Sequence, residues 1–220
     1  NSILGDKKPD AHTRLWLYPA LANHFLQTAD GRASALVSPQ PAAKSALESN
    51  MNHEAMGFLS KKLKLLEHKD AGDEAVGDIA RTKCLLAEAL LADGKLAQAR
   101  DAVTDALGLV DSSEQPKTKA GLHKCLRKEA TWLRRPRCMK QLFYDHVRLD
   151  SEAAMTIVKL YEHLGRTAYL LDEPEMHDWA VLRCLNLALL VRSRGGGRTP
   201  EQAKLMTSQL AKAYAAACLV

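Results

Sequence analysis

The sequence predicts an all-α protein built as a chain of antiparallel helix hairpins, an α-solenoid of eight to nine helices. Alanine and leucine, two strong helix formers, supply 68 of the 220 residues. Valine, isoleucine and threonine together supply only 22, which argues against a β-sandwich, a barrel or a doubly wound α/β enzyme. Apolar stripes at helical spacing recur between short breaks, and helices joined by short turns must pack antiparallel. Because such a hairpin cannot bury its apolar face alone, stacking of hairpins is expected.

Turn-forming residues divide the first half of the chain into helices. The first predicted helix spans 15–27 and ends at Asp30-Gly31, and a loop follows to Pro41, which starts a short helix ending at Glu48. Asn52 is a good N-cap for a helix over 53–66. Two further helices carry apolar stripes over 76–90 and 96–109 and are joined at Asp93-Gly94.

The second half begins after a linker at 111–116. A basic helix is predicted over 119–132 and is interrupted at Arg135-Pro136. A long helix follows from Asp150 or Ser151 to about residue 170, and Glu173-Pro174 separates it from the next one. The last helix follows a Gly195-Gly196-Gly197 link and starts with a capping box at 199–202. We therefore expect N-terminal helical repeats over 1–113 and C-terminal helical repeats over 114–220.

The segment 80–113 carries a spaced pattern of small and large residues around Gly94. Small residues let two helices approach closely at fixed points, and larger residues fill the groove between them. The pattern consists of Leu86, Ala87 and Leu90 before the turn and Ala99, Val103 and Ala106 after it. It resembles the tetratricopeptide repeat, with Lys83 and Asp111 standing where that motif prefers tryptophan and proline. A weaker unit of the same kind spans 16–66, where Lys62 replaces the usual small residue.

Most of the chain also resembles the helical-repeat region of large predicted ATPases related to soluble adenylyl cyclases. The resemblance implies a helical arm of a multidomain protein, with the ATPase or cyclase active site outside this chain, and it suggests a ciliary or axonemal location. Leu189 departs from the family, which tends to carry an acid there. The segments that carry it are Leu21-Ala22-Asn23-His24-Phe25, Ala42-Ala43, Ala46-Leu47, the helix at 54–66, Leu160-Tyr161-Glu162-His163-Leu164, Leu185-Asn186-Leu187-Ala188 and 209–215.

Catalytic and metal motifs are weak in this sequence. The glycine run at 195–197 lacks the lysine of a phosphate-binding loop, and His123 and Cys125 point in different directions on a helix. The acids and histidine at 173–178 are explained by an acidic first helical turn, which offsets the helix dipole. Five widely spaced cysteines indicate reduced, mostly buried thiols and a cytoplasmic protein. We therefore expect no enzyme active site, no cofactor and no metal in this chain.

The positive charge is concentrated in one segment. Residues 111–148 carry a net charge of +6, against +5 for the whole chain. This segment could bind acidic protein or RNA phosphates, or it could be a solvated helix face that covers apolar neighbours. Few aromatic residues accompany it, so nucleic acid is the less expected partner. The candidate partner-binding residues within 117–140 are Lys124, Arg127, Lys128, Arg134, Arg135 and Arg137.

Three functions follow from these observations. The first is a non-catalytic protein–protein interaction or scaffold region of a larger assembly, since the ends of the sequence look like cuts through a longer chain. The second is the regulatory arm of a cyclase-like or ATPase protein. The third is a basic module that binds RNA or acidic protein tails.

Overall fold

The structure is a computed structural model that describes residues 39–67, 73–111, 115–133 and 151–193. All regular secondary structure in these ranges is α-helical, which confirms the predicted all-α class. None of the helices in these ranges has the length and apolarity needed to cross a membrane. The predicted helices at 15–27 and beyond 199 lie outside the described residues. The described helices are α1 (Pro39–Glu48), α2 (Asn52–Glu67), α3 (Asp73–Ala92), α4 (Leu96–Val110), α5 (Lys119–Leu133), α6 (Ser151–Leu170) and α7 (Pro174–Ser193).

The chain forms two compact units, Asn1–Lys95 and Leu96–Val220. Their boundary lies within the segment 80–113, so α3 belongs to the first unit and α4 to the second. The assignment of 80–113 to one tetratricopeptide-like repeat therefore stays a prediction.

The helices of the first unit pack against one another through small residues. Helix α2 packs against both α1 and α3. Alanines at the contacts let the helix axes approach closely, and Phe58 and Leu59 fill the space that remains. The buried cluster consists of Ala42, Ala43, Ala46, Ala55, Phe58, Leu59 and Ala89.

An antiparallel pair, α6 and α7, forms the centre of the second unit. Val158 accepts a hydrogen bond at its carbonyl from the Cys184 thiol (3.5 Å), and Gly165 faces Ala180 and Val181. Helix α4 packs against α6, and α5 packs against α7. The contacts therefore follow the order α4, α6, α7, α5, which differs from the order along the chain.

Three helices, α1, α3 and α6, end in the same turn. Each turn contains one residue with a left-handed backbone: Asn50 (φ 57°), Gly94 (φ 76°) and Asp172 (φ 57°). The following N–H donates to a carbonyl five residues earlier, which closes the helix end as a Schellman motif. These bonds are Met51 to Ala46 at 2.8 Å, Lys95 to Leu90 at 2.9 Å and Glu173 to Ala168 at 2.9 Å.

The same register of buried residues surrounds each of these turns. A small residue lies seven positions before each left-handed residue, and an apolar residue lies nine positions after it. All of these residues are buried. The small residues are Ala43, Ala87 and Gly165, and the apolar ones are Leu59, Val103 and Val181.

Lys62 is the exception to this register. It stands twelve residues after its turn, where Ala106 and Cys184 stand in the other two, and it is 3% exposed. Its Nζ donates to Gln40 Oε1 at 2.6 Å, and burial lowers the pKa of the ammonium, an effect partly opposed by Asp78. The first unit therefore contains a buried cation at a position suited to alanine.

Candidate functional site

The basic helix α5 starts at a defined cap. The N–H of Gly121 donates to Thr118 Oγ1 at 3.1 Å, and the N–H of Leu122 donates to the Thr118 carbonyl at 2.9 Å. The Thr118 side chain thus satisfies the N–H of Gly121, which has no helical partner, and the Thr118 carbonyl accepts the first helical bond. The helix follows Pro116, as the sequence predicts for its start.

One face of α5 is buried against α7. Leu122 and Trp132 are each 7% exposed, and Glu129 between them is 3% exposed. These residues are spaced by seven and three positions, so they share one helical face. An acid therefore lies in the middle of an otherwise apolar contact.

Every oxygen of the Glu129 side chain has a donor from α7. Arg183 Nη1 donates to Oε1 at 2.9 Å, and Asn186 Nδ2 donates to Oε2 at 2.8 Å. The same amide also donates to the Glu129 main-chain carbonyl at 3.0 Å. A buried carboxylate is tolerated when it is paired and hydrogen-bonded in this way.

Arg183 extends this contact to α6 and to the end of α4. Its Nη2 lies 3.4 Å from Asp111 Oδ2, and the Tyr161 hydroxyl donates to the same oxygen at 2.7 Å. The guanidinium carbon also lies 5.9 Å from the centre of the Tyr161 ring. Asp111, Glu129, Tyr161, Arg183 and Asn186 are called the polar cluster below.

The opposite face of α5 is basic and exposed. Lys124, Arg127 and Lys128, three of the predicted partner-binding residues, all point to solvent, and none pairs with an acid among the described residues. Lys119, the first residue of the helix, and Lys117, which precedes its cap, are exposed as well. These five residues are called the basic face below. The other predicted residues, Arg134, Arg135 and Arg137, lie outside the described residues.

Two acids at and just before the start of α7 contact the neighbouring helices. His123 Nε2 lies 3.6 Å from Glu175 Oε1. Glu173 bonds Arg100 of α4 at 2.5 Å, and His177 Nδ1 lies 3.0 Å from the Gly165 carbonyl. The residues at 173–178 thus have contacts that explain their presence as helix-end and packing groups.

The cysteines of the second unit differ in exposure. Cys184 is buried, and burial raises the pKa of its thiol to about 12, so it stays protonated at neutral pH. Cys125, on α5, is half-buried. Within the described ranges, no three of the metal-binding residue types come together.

The polar cluster was not predicted from the sequence, although part of its signal was present. Glu129 is the only acid between 115 and 133, and it shares a helical face with Leu122 and Trp132. Arg183 likewise interrupts the apolar run 179–191. Each signal indicates a buried charge, but the pairing joins residues 54 positions apart, which no local pattern reveals.

Comparisons with protein-family models, with curated proteins and with solved structures give no match to this chain. The resemblances to tetratricopeptide repeats and to cyclase-related ATPases therefore stay predictions, and functional inference rests on the geometry described above.

Proposed function

We propose that this chain is a non-catalytic protein-interaction module of a larger assembly, in which the basic face of α5 binds an acidic segment of a partner protein. The repeating element of this proposal is the tetratricopeptide-like helix pair of an α-solenoid, although the helices of the second unit pack in the order α4, α6, α7, α5 and not in chain order. The turns at Asn50 in the first unit and Asp172 in the second support this element, because equal turns with equal small-residue positions give equal helix pairs within each unit.

The observation that carries the proposal is the separation of charge on α5. The helix presents Lys119, Lys124, Arg127 and Lys128 to solvent, whereas its one acid is buried and neutralised by Arg183. An exposed helix normally mixes both signs, which form pairs along its surface. A face of one sign instead attracts a partner of the opposite sign and accelerates its association.

An acidic protein segment fits this face better than RNA does. Single-stranded RNA is held by aromatic side chains on which its bases stack. The aromatic residue of α5, Trp132, is buried against α7 and cannot stack on a base. The cations that remain recognise carboxylates in a helical or extended segment through charge.

The test measures binding of a fluorescent glutamate-rich peptide, with a glutamine analogue of equal length as the negative control. The variant Lys124→Gln/Arg127→Gln/Lys128→Gln removes three exposed cations. The variant Lys44→Gln/Lys61→Gln/Lys64→Gln removes three exposed cations from the first unit and serves as the matched control.

We expect the α5 variant to lose most peptide binding and the control to retain it. Binding should weaken with added salt, because exposed ion pairs are screened. Equal losses in both variants, or tighter binding of a single-stranded RNA of equal charge than of the peptide, would contradict the proposal.

A further inference from the structure

We propose that Arg183 is a positioning residue that fixes the rotation of α5 on α7 and so keeps the basic face turned to solvent. The inference rests on the proposed function only for its effect on peptide binding. The claim that Arg183 fixes the rotation of α5 on α7 does not depend on the proposed function.

The apolar contacts of α5 do not by themselves define its rotation. Leu122 and Trp132 are the buried apolar side chains of this helix. Apolar burial is non-directional, so a helix held by two such residues can turn or slide with little loss. A guanidinium–carboxylate contact has a fixed geometry and permits much less movement.

Arg183 is suited to this task because it is itself held in place. One of its terminal nitrogens faces Glu129 of α5, and the other faces Asp111 after α4. The Tyr161 hydroxyl fixes Asp111, and the Tyr161 ring packs edge-on against Trp179 with centroids 5.6 Å apart. The arginine thus holds α5 in a fixed position relative to α4, α6 and α7 of the same unit.

Asn186 acts in the same direction on α5. It donates both to the Glu129 side chain and to its main-chain carbonyl. A bond to the main chain constrains the helix itself and not only a flexible side chain. With Arg183 present, these bonds place Glu129 inward, and Lys124, Arg127 and Lys128 then fall outward.

Two native thiols report on this arrangement. Cys125 lies on α5 and is half-buried, whereas Cys184 lies next to Arg183 in the chain but is buried between α6 and α7. Loosening of α5 should expose the first thiol and leave the second one protected. Site-resolved mass spectrometry after maleimide treatment of the full chain measures both rates in one sample.

We expect Arg183→Met to raise the labelling rate of Cys125 by about tenfold or more, because the substitution leaves Glu129 buried without its cation. Cys184 labelling should stay unchanged, and binding of the glutamate-rich peptide should weaken. Arg183→Lys, which keeps the charge but cannot span both carboxylates, should fall between wild type and Arg183→Met. Glu129→Gln, which retains the size of the side chain, should raise Cys125 labelling to a smaller extent.

Unchanged Cys125 labelling in Arg183→Met and Glu129→Gln would overturn the inference. A parallel rise at Cys125 and Cys184 would also overturn it, since it would show a general loss of structure. If wild type fails to bind the peptide while Cys125 responds as expected, the proposed function fails and the positioning role stands.

Discussion

Replacement of Gly165 tests the close packing of α6 on α7. A Cβ atom at this position would lie 3.4 Å from Val181 Cγ2 and 3.6 Å from Ala180 Cβ. Alanine therefore just fits, and it should stabilise the second unit by up to about 1 kcal/mol through its higher helix propensity. Leucine has branches beyond Cβ that find no space, and it should destabilise the unit by roughly 1–3 kcal/mol.

Gly108, on α4 of the same unit, provides the matched control. No atom lies within 4 Å of a Cβ built there, so both alanine and leucine should be neutral or stabilising. Urea unfolding followed by far-UV circular dichroism gives the free energy of unfolding of each variant. The reasoning is refuted if Gly165→Leu and Gly108→Leu have the same stability, because Gly165 would then face open space.

The remaining predictions concern single residues. Lys62→Met should stabilise the protein at neutral pH by roughly 1 kcal/mol, since it removes a desolvated cation. Burial lowers the pKa of Lys62 below its ordinary value of 10.5. The free energy of unfolding of the wild type should therefore rise with pH between the folded-state pKa and 10.5. A free energy of unfolding that does not change with pH in that window would contradict this prediction. Cys184 should resist maleimide at pH 8 while Cys125 reacts, and equal rates in the native protein would show that Cys184 is not buried. Asp172 and Gly94 both have a left-handed backbone, which glycine adopts more easily than other residues. Asp172→Gly should therefore stabilise the protein and Gly94→Ala should destabilise it, each by roughly 1 kcal/mol. Thermal melts should show a higher Tm for the first variant and a lower Tm for the second.

Much of the helical pattern could be predicted from the sequence, because local signals determine helix ends. The predicted helix end at Glu48 and the helix start at Pro174 agree with the structure. Asn52 is the first residue of α2 and not its N-cap, because the Met51 carbonyl accepts the first helical bond, from the N–H of Ala55. The tight turn at Gly94 was also expected from Asp93-Gly94. The turn at Asp172 was harder to predict, because an aspartate in the left-handed region has no strong local signature.

The packing order of the second unit could not be predicted in this way. Consecutive hairpins would place α5 next to α4, but α5 packs on α7 instead. Glu129 of α5 contacts Arg183 and Asn186 of α7, which lie 54 and 57 positions away. Such pairings depend on the folded arrangement and leave only a hint in the sequence, namely one acid on an apolar helical face.

Three of the five residues of the basic face were named from the sequence as candidate partner-binding residues. Lys124, Arg127 and Lys128 recur at helical spacing, and the structure places all three in solvent. Their exposure follows from the apolar positions of Leu122 and Trp132 on the other face. The binding role assigned to these residues stays a prediction.

The most direct measurement of the central claim is zero-length carbodiimide cross-linking of the glutamate-rich peptide to the full chain, with the linked lysines mapped by mass spectrometry. An amide forms only where a peptide carboxylate rests against a lysine amine. We predict links at Lys124 and Lys128, sensitive to salt and absent with the glutamine analogue. Links spread equally over Lys44, Lys61 and Lys64 would contradict the account.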